Sequence, residues 1–546
     1  MSERSGAVSE FLDEIEPTIF GFGAGITLLF VVLFALRPQA AGEVVSGANQ
    51  FVLARFNWAF LIVMLVLVGF LAFLIVGPWG KITLGEGSPE FSYISYFTMI
   101  YSAGLAAGIV FWGPTEALLH YSTVPPLYDV AAESQAAIPI AVQYSLFHWS
   151  ITQWSCFTVM GLGIGYFAHE HGAPLRVSAV LTPFVGADNV DNLLGKLVDI
   201  LAVFATLGGV ATSLGLIGSQ FLTGIEFNWG YQIGDVGTVG IITGMTLLFT
   251  ISLVLGVDKG IRRLSNFNMG LFAVLMTATL ILGPTVRVLE LSTQATGGLV
   301  GDWFQMSMFT DFTNGGSWSN AWTVFYWAWP LAWSPFAGLF IARISRGRSV
   351  REVAFTGVVA TSLATIPWFA IVGGTAVLFQ HGGVVDILGP VGQYGEAVSG
   401  YLLFQALDVA WIPLPVGTIL LFAFLVLVTT FFVTSADSST LAVSMMTTGG
   451  KAEPSSISRI FWGALQGVVA SILMVIGGVE ALQSAAIITG GPFAIVCLIA
   501  VAGLAKSFSR QSENVLLREE TVLFGDTGGS ESSEPEGRPA GADADD

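Results

Sequence analysis

The chain has 546 residues, a net charge of −18, 53% hydrophobic residues and only 11% charged residues. A soluble chain carries about 25% charged residues, so this composition excludes a cytosolic enzyme, a disordered polymer and a string of soluble domains. Twenty basic against 38 acidic residues exclude a nucleic-acid partner, which needs clustered cations, and leave an acidic, lysine-poor exterior of the kind that stays soluble at high salt.

Residues 1–16 form an acidic tail containing Glu10, Asp13, Glu14 and Glu16. Apolar stretches of about 18 residues or more then read as membrane helices. Twelve are predicted, over 17–36, 57–77, 94–119, 138–168, 194–226, 235–256, 264–290, 320–345, 350–379, 402–436, 457–477 and 483–505. The first follows the acidic tail with no basic region before it, so it is not read as a cleaved signal peptide. An even number of crossings puts both termini on one side. With a cytoplasmic N-terminus, 17 of the 20 basic residues fall on the inner side and only Arg37, Arg55 and Arg287 on the outer, as the positive-inside rule requires.

The third helix contains Gly104, Gly108, Gly113 and Pro114 in mid-membrane. Such a segment can unwind and offer carbonyls to a cation if it lines a cavity; small residues at this spacing also serve close helix packing. On the fourth helix, Trp149, Gln153, Trp154 and Phe157 cover one half of a continuous helical surface. They lie well inside the span, away from the interfacial belts where tryptophan concentrates. The fifth helix carries Thr206, Thr212 and Ser213, with Thr206 and Ser213 on one face; these hydroxyls fit either a cation or packing hydrogen bonds. The stretch 292–318 is too short and polar to span and is expected to lie along the outer interface.

On the eighth helix, Trp322, Tyr326, Trp329 and Trp333 form a stripe about 60° wide at 100° per residue. Ring faces attract a desolvated cation by about 2 kcal/mol each. They suit a quaternary ammonium, which cannot donate hydrogen bonds. The competing reading is an aromatic packing seam. The arginine-rich loop from Arg343 to Arg351 reads as a positive-inside stop. The tenth helix ends in Phe431, Phe432, Val433, Thr434, Ser435, Ala436, Asp437 and Ser438, where hydroxyls and carbonyls supply the oxygen ligands that hard cations prefer. Asp437 and Glu116 are acids near membrane depth and functional candidates for that reason. Cys156 and Cys497 both lie in apolar runs and make neither a disulfide framework nor a metal site. The five histidines show no zinc-binding spacing. Residues 507–546 are acidic and expected to be disordered.

These stretches resemble the betaine/choline/carnitine transporter family. The resemblance runs from about residue 50 to 510. It rests on Phe325 to Phe336, on Ala342 to Glu352, on Phe147-His148-Trp149, on Phe432 to Ser438 and on the Gly104–Gly108 region. It implies an all-α membrane protein with a LeuT-type core of two inverted five-helix repeats. Two peripheral helices (17–90) would precede helices 3–7 (91–291), and the interfacial segment (292–319) would lead to helices 8–12 (320–506). Each repeat would open with an interrupted helix, broken at Gly104–Gly108 in the third and at Pro330 and Pro335 in the eighth. The implied substrate box is Trp149, Trp154, Phe157, Trp329 and Trp333, with Ala103 and Gly104 at the break. The implied sodium site is Ser102, Leu105, Phe431, Thr434 and Ser435; a second is Thr206 with Phe336. Pro330, Phe157 and Val210 stand where the family's pattern has tryptophan, tyrosine and a hydroxyl.

The resemblance implies a secondary transporter in the cell membrane, importing a glycine-betaine-type solute with Na+ as coupling ion and assembling as a homotrimer. Sodium-independent exchange of quaternary amines is the first alternative; a channel or a sensor is the second. An enzyme is not indicated, because no nucleophile–base pair is present, and no organic cofactor is expected.

Overall fold

The computed structural model describes residues 9–104, 106–255, 257–408 and 413–524. Among them every regular element is a helix, apart from an isolated bridge between Thr83 and Ser349. Ten helices are long and apolar enough to cross a membrane. They correspond to the predicted helices one, two and five to twelve. The third and fourth are each broken into shorter helices; the longest piece, Ile151–His171, has 21 residues but carries polar residues such as Gln153 and Ser155.

Burial separates the centre from the periphery. The apolar window of the eighth span (Ser317–Ile344) is wholly buried and that of the fifth (Leu193–Trp229) is 83% buried. For the first, sixth and seventh spans the figure is 28%. Their exposed residues, such as Phe22, Leu29, Leu247 and Ile281, are the surface a hydrocarbon solvent covers.

Several predicted boundaries are corrected. The second helix runs Pro38–Val76, starting 19 residues earlier than the apolar stretch. Pro38 at its first turn needs no backbone donor there, and Glu43, Asn49 and Arg55 continue the helix as a polar extension. The seventh helix ends at Leu282 rather than 290, because Pro284 disfavours helical geometry in the residue before it. A separate helix, Thr285–Ser307, follows; it buries Val288, Leu291, Ala295, Leu299 and Met306, one face of an amphipathic helix. The tenth helix runs Val416–Thr447 and is distinct from the short helix Val398–Gln405. Thr434 to Ser438 therefore lie in mid-helix, not at a helix end.

The eighth helix is not interrupted at its prolines: Phe325–Ile344 is a continuous α-helix through Pro330 and Pro335. A proline frees the carbonyl four residues back. Here the Leu331 carbonyl, which Pro335 leaves without its amide partner, accepts the Ser334 hydroxyl at 2.8 Å. The irregular turn lies earlier, a π-helical segment over Asn320–Val324.

The N-terminal segment is anchored by two carboxylates. Glu14 accepts bonds from the Ser455 amide and hydroxyl and from Lys451, and Glu16 accepts the Lys196 ammonium at 2.7 Å. Burial alone would raise both carboxyls; the bonds from Ser455 and Lys451, and from Lys196 and the Ile19 amide, outweigh it and hold them below the usual range.

Residues from Ala505 on belong to a separate unit of the chain. Positions 507–524, expected to be disordered, are helical, in keeping with the helix formers Leu516, Leu517, Arg518, Glu519 and Glu520. Residues 525–546 lie outside the described residues.

Candidate functional site

The third helix breaks where its glycines predict. Tyr93–Ala103 ends at Gly104, whose backbone is extended (φ −71°, ψ −166°), and helix resumes at Ala106–Trp112. The last carbonyls of such a half-helix lack intrahelical partners and carry the negative end of its dipole. Leu105, a predicted sodium ligand, lies outside the described residues.

The tenth helix meets this break. The Ser435 hydroxyl donates to the carbonyl oxygens of Ser102 at 3.2 Å and Gly104 at 3.3 Å. One residue earlier, the Thr434 hydroxyl donates to the Phe431 carbonyl at 2.8 Å and lies 3.4 Å from the Asn268 amide. Ser102, Phe431, Thr434 and Ser435 are all buried. Ser435 thus meets the Ser102 and Gly104 carbonyls at the break, while Thr434 bonds to Phe431 on its own helix and to Asn268. Asp437, considered as a solvated helix end, is buried and accepts the Ser252 hydroxyl at 2.6 Å.

The five predicted box rings are 0–1% exposed. The fourth helix is itself broken at Ser150 (φ −101°, ψ −139°), with Ala137–Trp149 on one side and Ile151–His171 on the other. The single helical surface predicted to unite Trp149, Trp154 and Phe157 is therefore replaced by two groups. Trp149 meets Trp329 edge-to-face at 6.1 Å and 88°, and Trp329 meets Trp333 at 6.4 Å and 84°. Trp154 stacks on Tyr101 at 5.5 Å and meets Phe157 edge-on at 5.9 Å.

Glycines join both groups to the broken third helix. A Cβ at Gly108 would stand 2.8 Å from Trp329 and 3.2 Å from Trp149; one at Gly104 would stand 2.5 Å from Trp154. These distances leave no room for a methyl group. The third-helix glycines here serve ring approach at the same positions where they loosen the helix. Gly209 on the fifth helix accommodates Trp333 in the same way, and its carbonyl accepts Trp329 Nε1 at 3.4 Å.

The residues of the second predicted sodium pair, Thr206 and Phe336, are both buried. Thr206 lies one turn before Gly209 and is buried, its hydroxyl without a partner among the described residues. Phe336 is buried against Trp333 at 4.9 Å. The neighbouring Thr212 is committed elsewhere, donating to the Leu482 carbonyl at 2.8 Å.

Beyond these predictions, a polar cluster adjoins the box. Glu116 accepts the indole N–H of Trp149, and its other oxygen lies 2.7 Å from His148 Nδ1 and 3.2 Å from His120 Nε2. All three side chains are fully buried. The histidines lack zinc spacing along the chain because the packing of helix Glu116–Ser122 against helix Ala137–Trp149 unites them. Glu116 and His120 at i and i+4 were the available half of that signal. Phe369, also unassigned from sequence, stacks on Trp149 at 5.1 Å.

Two cavities of about 490 Å³ lie away from the rings, one beside Ile138, Arg287 and Glu290 and the other beside Thr243, Thr246, Gly467 and Ser471.

The sequence model of the betaine/carnitine/choline family transporters matches residues 18–513. Glycine betaine transporter OpuD of Bacillus subtilis is 36% identical over 502 residues, covering 91% of this chain and 95% of its own. An ectoine/hydroxyectoine transporter of Virgibacillus pantothenticus is 35% identical, with 90% and 96% covered. A glycine betaine/proline/choline transporter of Vibrio parahaemolyticus is 34% identical, with 91% of each chain covered.

Proposed function

The chain belongs to the betaine/carnitine/choline transporter family, and from that premise we propose that it imports a quaternary-ammonium solute of the glycine betaine type together with sodium. It is a multi-pass membrane transporter, not an enzyme. The observation that carries the substrate reading is the set of perpendicular indoles, Trp149, Trp329 and Trp333, held against Gly108 and Gly209 in a wholly buried setting. Perpendicular ring planes form the corners of a box whose faces attract an onium group. The relatives named for glycine betaine, ectoine and choline support the same class of cargo.

In the closed arrangement the rings touch one another, so the cargo enters as they part. Trp149, Trp329 and Trp333, with Trp154 and Phe157 beyond the Gly104 break, then face the methyl groups. Ala103 and Gly104 are the proposed contacts at the break; the Gly104 amide, which donates to the Ile100 carbonyl at 3.1 Å, exchanges that bond to meet a carboxylate. Sodium is taken by the carbonyls of Ser102, Leu105 and Phe431 and the hydroxyls of Thr434 and Ser435, with Thr206 and Phe336 as a second position. The donor set fits a hard monovalent cation: it is all oxygen, and the Ser435 hydroxyl already bridges the half-helix carbonyls. Sodium held there ties the third helix to the tenth and favours one state of the core. That differential affinity is what transmits the gradient to the cargo. The inner concentration of basic residues puts both termini in the cytoplasm.

Purified protein in proteoliposomes is expected to concentrate labelled glycine betaine under an inward sodium gradient and to lose that accumulation when potassium replaces sodium. Equal uptake in both salts would leave exchange as the mechanism. Competition by choline, carnitine and ectoine in the same assay ranks the cargoes.

A further inference from the structure

Among the described residues, one group of three metal-ligating side chains converges: Glu116, His120 and His148, whose ligand atoms all lie within 4.8 Å of one another. We propose that it is a binding site for a first-row divalent cation of the zinc type, and that occupancy restrains the Trp149 wall of the box. The donor set, two imidazole nitrogens and one carboxylate oxygen, is the set that zinc and its neighbours prefer over magnesium or calcium. Bonds of about 2.0–2.1 Å in a tetrahedron separate ligand atoms by about 3.4 Å. Glu116 Oε1 stands 2.7 Å from His148 Nδ1 and 3.2 Å from His120 Nε2, so small side-chain rotations suffice.

Two of the three ligands also have outer partners, while His120 Nδ1 has none among the described residues. A metal-bound imidazole normally donates its other N–H to a fixed acceptor, and a ligating carboxylate is itself hydrogen-bonded. His148 Nε2 lies 3.1 Å from the Thr323 hydroxyl, and the second Glu116 oxygen accepts the Trp149 indole N–H. Thr323 belongs to the π-helical turn Asn320–Val324, an irregularity that recurs at functional sites. Trp322, only partly buried, covers His120 at a ring distance of 4.5 Å. Two neutral imidazoles and one carboxylate leave a divalent ion with net positive charge beside Trp149. That charge opposes an onium on the same ring.

The test uses the full-length protein in detergent, with cobalt(II) as the probe because its tetrahedral complexes absorb in the visible. The wild type is expected to bind one cobalt per chain with tetrahedral absorption that zinc abolishes. His120→Gln and His148→Gln are each expected to lower the affinity at least tenfold. Thr323→Val keeps all three ligands and is expected to lower it roughly tenfold through the lost outer hydrogen bond. Zinc-loaded protein is expected to show roughly tenfold weaker solute uptake. Absence of tetrahedral cobalt absorption in the wild type overturns the proposal, as does binding that these substitutions leave unchanged. The cobalt reading is independent of transport, so its failure leaves the transport proposal standing.

Discussion

Trp333→Leu is expected to raise the half-saturating concentration of glycine betaine roughly 30-fold while the purified protein remains folded. A desolvated cation–ring contact is worth about 2 kcal/mol, and 1.4 kcal/mol is tenfold in affinity. Trp333 suits the test because its indole N–H has no partner among the described residues, so the substitution orphans no acceptor. The leucine keeps an apolar group against Gly209 and limits the cavity penalty that a large-to-small change in a close-packed interior incurs. Concentration-dependent uptake together with size-exclusion profiles separates the two readings of the aromatic stripe. A substrate wall loses affinity; a packing seam loses folded protein and leaves the affinity of the remainder unchanged.

Ser435→Ala is expected to raise the sodium concentration needed for half-maximal uptake at least tenfold. Its hydroxyl is the one side-chain group bonded to both Ser102 and Gly104 carbonyls across the break, so its removal takes away a proposed ligand and the tie between the third and tenth helices. Thr434→Ala removes the adjacent hydroxyl and is expected to act in the same direction. Sodium titration of uptake at fixed betaine checks both. An unchanged sodium requirement in both variants would remove these oxygens from the coupling site.

Much of the architecture was legible because lipid imposes a simple code: long apolar stretches, a charge asymmetry and small residues where backbones approach. Gly104 and Gly108 marked the broken helix correctly. The prolines of the eighth helix were misleading. A missing N–H breaks a helix only when nothing else satisfies the freed carbonyl, and Ser334 does so for Leu331. The break at Ser150 left no comparable signal, since Trp149-Ser150-Ile151 reads as uninterrupted helix; with it went the wheel angle linking Trp149 to Trp154. The helix ends near Pro38, Pro284 and Pro415 were missed because hydropathy reports where a chain is apolar, not where its hydrogen bonds stop.

The site residues divided along the same line. Ring and hydroxyl positions were expected from periodicity and resemblance, whereas the contacts that join them, such as Trp149 to Trp329 and Ser435 to Ser102, run between helices. The Glu116–His120–His148 cluster could not be expected in the same way, since His148 joins the i, i+4 pair only through tertiary packing. Asn268 and Phe369 entered the site for that reason too: each comes from a helix whose own pattern is ordinary.

The most direct measurement compares glycine betaine with 3,3-dimethylbutanoate, its uncharged-head isostere, as competitors of labelled betaine uptake. The two share shape and carboxylate and differ in carrying nitrogen or carbon at the branched centre. Ring faces that hold a cation predict that the carbon compound competes at least tenfold more weakly; equal competition would mean the indoles recognise shape alone and would contradict the account.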